Sequence, residues 1–190
     1  FISSLPSHVM VVVDEAYFEY ARDACPDYPD AMQWLNNYSN LIVARTFSKV
    51  YGLAGLRIGY GVAHPDVANL LDRVRQPFNV NSLAQLAAEA ALDDVDHLAR
   101  SLEVNRQGMT QLTEAFAAMK LPFIPSAGNF VAVDVGRPTA SIYEALLREG
   151  VIVRPVANYG MPRHLRVTVG LPQENERCVE ALKKVLASCR

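Results

Sequence analysis

A chain of 190 residues that is 51% hydrophobic and 20% charged, with 10 glycines and 11 prolines, has an ordinary globular composition, which excludes a disordered or collagen-like chain. The net charge of -2 lacks the basic surplus that nucleic acid or an anionic membrane would require, so small molecules and proteins are the expected partners. No apolar run approaches the roughly 20 residues of a spanning helix and no basic signal region opens the chain, so the expected location is the cytoplasm.

Phe1 is followed almost at once by an apolar run, as though the chain were entered within a domain. Three short apolar runs, 9–13, 41–44 and 56–63, alternate with helical patterns, the grammar of an α/β fold. Pro65 opens a helix through Arg75 that Pro77 closes, and Ser82 with Gln85 has the form of a capping box for the next one. The break at 76–81 reads as a hinge. Beyond it Val95, Leu98, Leu102, Asn105, Met109, Leu112, Phe116 and Met119 recur at alternating spacings of three and four. That stripe predicts one long helix, on the order of 40 Å at 1.5 Å per residue. Asn105, its one polar member, is expected to be a satisfied amide.

The last third reads as strand 129–135, helix 141–148 stopped by Gly150, strand 151–155, strand 165–169 and a final helix. In that helix Glu174 and Glu176 lie toward the positive end of the dipole, and Lys183 and Lys184 toward the negative end. The expected division is residues 1–77, a hinge-and-helix stretch 78–92, and 93–190.

Cys25, Cys178 and Cys189 form no C-x-x-C pair and are odd in number, which argues against a disulfide framework or a zinc site. His8, His64, His97 and His164 lie far apart without an H-E-x-x-H arrangement, so no metal is expected. The chemistry concentrates elsewhere. Asp14, at the C-terminal end of the run Val11 to Val13, stands where open α/β sheets bind ligands. Asp14 with Glu15 would also suit Mg²⁺ in an ATPase, but the G-x-x-x-x-G-K-[ST] run such a protein needs is missing.

The stretch Thr46 to Tyr60 packs hydroxyls, Lys49, glycines and Arg57 into one loop. A lysine among hydroxyls and an arginine suits a cofactor with an aldehyde and a phosphate: the amine makes a Schiff base while Thr46, Ser48 and Arg57 hold the phosphate. Pyridoxal phosphate is such a cofactor, and Asp14 can pair with its ring nitrogen while Tyr17 reaches the ring hydroxyl.

The Asp-Glu-Ala-Tyr run at 14–17, Ser48-Lys49 with Arg57, Val151 to Pro155 and Leu165 to Gly170 together resemble the fold-type I pyridoxal-phosphate-dependent aminotransferases. Within that family the likeness is greatest to the branch that acts on histidinol phosphate in histidine biosynthesis. The resemblance implies Lys49 as the Schiff-base lysine and later the general base, Asp14 at the ring nitrogen, Tyr17 at the ring hydroxyl, and Ser48 and Arg57 at the phosphate. It also implies Arg166 at the substrate α-carboxylate and Arg154 at a substrate phosphate. Val50 stands where many relatives carry a small residue.

Family members run to about twice this length, and the likeness covers what looks like their C-terminal half. The implied fold is α/β: the end of a large domain with a mostly parallel sheet, a long linking helix, and a small α+β domain. Implied partners are an amino donor, a 2-oxo acid acceptor and a second copy in a homodimer. Alternatives on the same fold are an aromatic amino-acid aminotransferase or an amino-acid-phosphate decarboxylase. A half that only binds a partner chain is the alternative without catalysis.

Overall fold

A computed structural model describes residues 1–188; Cys189 lies outside the described residues. The chain forms two compact units, one of Phe1–Arg100 and one beginning at Ser101.

In the first unit a three-stranded sheet is ordered β1 (Val11–Asp14), β2 (Leu41–Thr46), β3 (Gly59–Ala63). β1 and β2 are parallel, in register from Val11 opposite Leu41 to Asp14 opposite Ala44. Their connection carries α1 (Phe18–Ala24) and a 3-10 turn at Ala31–Trp34. Leu41 and Val43 pack fully buried against Ala31, as the two-residue alternation of a strand requires. β2 and β3 are antiparallel. The expected mostly parallel sheet is therefore one parallel and one antiparallel ladder. A parallel return needs a crossover of a dozen or more residues, usually a helix. The β2–β3 loop holds only a 3-10 turn at Ala54–Leu56. That turn also delays β3 to Gly59, later than the apolar run suggests.

α2 (Pro65–Val74) starts with proline at its first position, where a missing N–H costs nothing. α3 (Ser82–Asp93) is capped by Asn81, whose Oδ1 accepts from Ala84 N at 2.8 Å. The cap thus falls one residue before Ser82, which leaves Gln85 out of register for a capping box. α4 (Val95–Ala118) has 24 residues, about 36 Å of helix. Asp94 receives the His97 N–H at its start, and Lys120, at φ +58, closes its end.

The second unit has a four-stranded antiparallel sheet in the order β4 (Phe123–Ile124), β5 (Phe130–Asp134), β7 (His164–Thr168), β6 (Arg154–Pro155). α5 (Ala140–Arg148) and α6 (Pro172–Ser188) complete it. Leu112 and Phe116 of α4, Val131 and Val133 of β5, Ile142 and Leu146 of α5, Leu165 of β7 and Leu182 of α6 form its buried core. Each such side chain is worth about 1.5–3 kcal/mol of burial. β6 is shorter than the run 151–155 suggests: Val151 and Val153 turn into the core, and Pro155 brings no N–H to the ladder. Asn105 is satisfied on one side only. Its Nδ2 donates to Gly128 O at 3.3 Å, while its buried Oδ1 has no partner among the described residues.

Gly108 lets α4 approach the strand exit closely. A Cβ there would overlap Val169 Cγ1 and stand 2.8 Å from Asn175 Nδ2. Asn175 cannot step aside cheaply, because it is 2% exposed and bonded to Gly170 N, Gly170 O and Gln111 Oε1. Overpacking of this kind costs about 1–3 kcal/mol, set against a gain of about 1 kcal/mol from alanine's helix propensity. Gly108→Ala is therefore expected to lower the denaturant midpoint in equilibrium unfolding; an unchanged or raised midpoint would show that the contact yields.

Candidate active site

The polar site of the first unit lies where β1 and β2 end together. Asp14 closes β1 and is exposed; its Oδ1 accepts from Ala16 N at 3.0 Å, a turn that redirects the chain toward Tyr17. Thr46 closes β2, and its Oγ1 accepts from Ser48 N at 3.1 Å. Lys49 follows at once. It is half-buried, its Nζ lies 5.0 Å from the centroid of the Tyr17 ring, and it makes no ion pair among the described residues. The loop bearing it is closed by Gly52 N to Lys49 O and by Leu53 N to Phe47 O, both at 2.9 Å. Gly52, at φ +72, takes the left-handed conformation this turn needs. Buried Phe47 packs on Tyr51 and Tyr60 at ring separations of 5.1 and 5.9 Å.

Arg57, further along the same loop, is held at φ +54 with Nη1 on Ala54 O at 3.0 Å. A left-handed non-glycine residue costs roughly 1–2 kcal/mol, and such strain is concentrated at functional sites. An amine, a carboxylate, an aromatic ring, two hydroxyls and a guanidinium are thus supplied by two strand ends and one loop. As a donor set this fits a group with an aldehyde, a ring nitrogen and a phosphate.

Glu15 does something different from its neighbour. It is 2% exposed, accepts from Ala31 N at 3.0 Å, and receives both Nε and Nη2 of Arg45 at 2.9 and 2.8 Å. Arg45 also reaches Asp30 at 2.7 Å and lies 3.7 Å from the Phe18 ring centroid. The Mg²⁺ role considered for Glu15 is thereby displaced, because its oxygens are already filled by three donors. Nearby, Glu19 is held above the usual carboxylate range by burial, with Tyr51 and Arg45 opposing that rise.

In the second unit Arg154 on β6 and Arg166 on β7 are direct cross-strand partners. Arg166 is half-buried over the Phe130 ring at 4.9 Å, and its buried Nε has no hydrogen-bond partner among the described residues. Exposed Arg154 lies 6.0 Å from the Tyr159 ring centroid, with Nη2 3.4 Å from Tyr159 Oη. On the strand beside them Asp134 accepts from Gly136 N at 2.7 Å and from Arg163 Nη2 at 2.6 Å.

The sequence reading missed the Glu15–Arg45–Asp30 group and the contact of His97 with Val50 O at 3.2 Å. No local motif marks either, since each joins segments far apart in the chain. An arginine inside an apolar strand run was the one available hint of a buried partner.

The first unit defines a mixed α/β scaffold with an amine-bearing site at the end of a parallel strand pair. The chain belongs to the aminotransferase class I and II family, which matches it over residues 3–182. It is 59% identical over 190 residues to histidinol-phosphate aminotransferase 1 of Nitrosococcus oceani, covering 100% of this chain and 51% of that protein. It is 62% identical over 187 residues to histidinol-phosphate aminotransferase 2 of Pseudomonas fluorescens, covering 98% and 50%. The crystal structure of histidinol-phosphate aminotransferase from Sinorhizobium meliloti in complex with pyridoxal-5'-phosphate aligns with a TM-score of 0.90 at 34% identity, covering 99% of this chain and 52% of that one. The chain spans about half the length of the curated relatives it matches.

The Asp134 contacts carry a pH signature. The Gly136 N–H and then the Arg163 guanidinium hold its carboxyl below the ordinary 3.8 against the opposing effect of burial, with His164 adding to the lowering. Its ionised form therefore contributes stability that is complete above pH 3.8 and is lost as pH falls through the lower folded value. Asp134→Asn is expected to be less stable than the parent near neutral pH and to lose less on acidification below about pH 4. Urea midpoints against pH check this; parallel curves for the two proteins would refute it.

Proposed function

We propose that this chain supplies the lysine- and arginine-bearing part of a pyridoxal-phosphate-dependent histidinol-phosphate aminotransferase, which exchanges an amino group between histidinol phosphate and 2-oxoglutarate in histidine biosynthesis. The observation that carries the reading is Lys49, half-buried beside Tyr17 and without an ion pair among the described residues, next to the strand that ends in Asp14. On this reading the first unit is the end of the large domain and the second the small domain, in the C-terminal half of a homodimeric enzyme. The identity to the two bacterial relatives supports that choice of substrate over an aromatic amino acid.

Bound pyridoxal phosphate supplies an aldehyde for the lysine and a protonated ring that draws electrons from the substrate α-carbon. Lys49 Nζ is the amine that would meet that aldehyde and, once an amino donor has taken its place, the base that would take the proton from the substrate α-carbon and give it back. Asp14 would keep a proton on the ring nitrogen, and Tyr17 would hydrogen-bond the ring hydroxyl. Ser48, Thr46 and Arg57 would hold the phosphate through charge-assisted hydrogen bonds.

Histidinol phosphate carries a phosphate ester where glutamate carries its α-carboxylate. Arg166 and Arg154, adjacent across the β6–β7 ladder, can receive either anion, Arg166 chiefly the carboxylate and Arg154 the phosphate. The buried Nε of Arg166, without a hydrogen-bond partner among the described residues, supports a ligand there.

Two experiments test this. After incubation with pyridoxal phosphate and borohydride reduction, peptide mapping is expected to find the label on Lys49 and to find it gone in Lys49→Ala; a label spread over several lysines would overturn the assignment. Arg154→Ala is expected to lower kcat/KM for histidinol phosphate by on the order of 10- to 100-fold, the worth of a charge-assisted hydrogen bond, while phenylalanine turnover is little changed. An unchanged preference between the two substrates removes Arg154 from the phosphate.

A further inference from the structure

The loop that carries Lys49 is tied down from a distant part of its own unit. Val50, the next residue, is 2% exposed, so its carbonyl cannot rely on water for a donor. The backbone bonds that close the loop, Gly52 N to Lys49 O and Leu53 N to Phe47 O, leave that carbonyl to a side chain. His97 meets it, with Nε2 at 3.2 Å from Val50 O. A carbonyl can only accept, so Nε2 must carry the proton, a condition met by one neutral tautomer and by the imidazolium alike. The imidazole is itself placed: its residue sits in the first turn of α4, where the His97 N–H donates to Asp94 Oδ1 at 2.9 Å.

We propose that His97 is a positioning residue for Lys49, acting through the Val50 carbonyl to fix the turn from which the lysine amine projects. The proposal rests on the cofactor-binding reading of Lys49. It also accounts for Val50. A buried residue after the lysine presents a carbonyl out of water's reach, where one imidazole donor holds the turn; at an exposed position solvent would compete for the same bond. Phe47, packed on Tyr51 and Tyr60, holds the start of the loop, and His97 holds its middle.

The test compares His97→Leu, which fills the space without a donor, with His97→Gln, whose amide nitrogen can stand where Nε2 stood. Amide hydrogen exchange at Gly52 and Leu53, measured without cofactor, is expected to quicken on the order of 10-fold in His97→Leu and to return toward the parent rate in His97→Gln. In the protein loaded with pyridoxal phosphate, the pH midpoint of the visible absorption is expected to move by about half a unit in the leucine variant and to recover in the glutamine one. Unchanged exchange in His97→Leu, or faster exchange with an unmoved midpoint, would overturn the proposal, the second result leaving His97 a purely structural role. If the leucine variant does not fold, His97→Asn, too short to reach Val50, gives the same comparison. Failure to label Lys49 in the parent would sink the functional reading instead, and the cofactor-free exchange would still decide whether His97 holds the loop.

Discussion

The parallel register of β1 and β2 is the constraint on which the site of the first unit depends. Because the two strands run the same way, both release the chain at one edge of the sheet, and Glu15 N on Ala44 O at 2.8 Å carries the ladder one step past Asp14. Segments far apart in sequence, 14–17 and 46–49, are thereby set side by side, close enough for Lys49 to stand 5.0 Å from the Tyr17 ring. An antiparallel pairing would have sent them to opposite edges. The helix and 3-10 turn between β1 and β2 are what make the parallel return possible.

The same strand end separates two adjacent carboxylates by role. Successive residues leave an extended chain on opposite sides, so exposed Asp14 and buried Glu15 meet different surroundings. Glu15 is saturated by Ala31 N and the two Arg45 nitrogens. Removing one partner of such a buried pair commonly costs 3–5 kcal/mol, since the other charge is left without compensation. Asp14 has one backbone donor and remains open to a ligand. The Glu15–Arg45–Asp30 group therefore acts as a clamp that keeps β2 and the β1 exit together, and the exposed Asp14 beside it is the carboxylate that the proposed function sets at the cofactor ring.

Much of this was legible in the sequence because it is periodic or punctuated. The long α4 stripe, the Pro65 start, and the β5 and β7 runs all carry local signals that tertiary packing agrees with. The less legible parts have identifiable causes. β4 has two residues, too few to express any period, and α1 at Phe18–Ala24 mixes aromatic and charged residues over less than two full turns. The cap of α3 falls on Asn81 because two capping residues stand in succession and the fold of the chain before the helix decides which side chain reaches Ala84 N. For the site, a motif could suggest Asp14, Lys49 and Arg57 as a set, since their spacing is carried along one chain direction. Arg45 and His97 were invisible for the opposite reason: each acts on a residue 30 or 47 positions away, and nothing beside it in sequence says so.

The second unit poses an electrostatic problem that bears on what it binds. Directly opposed side chains in an antiparallel pair have Cβ atoms about 4.5–5.5 Å apart, and like charges there are destabilising. Arg154 and Arg166 nevertheless face one another, and neither has an ion pair among the described residues. Asp134, two positions from the residue opposite Arg166, could have served, but Gly136 N and Arg163 already engage it. What the arginines have instead are aromatic faces, Phe130 at 4.9 Å and Tyr159 at 6.0 Å. A ring face favours a guanidinium by roughly 0.5–1 kcal/mol at an exposed site without neutralising it. A carboxylate partner would instead have occupied their N–H groups. Two cations held by ring faces keep their charge and most of their donors, and under the proposed function an anion received between them would relieve their repulsion.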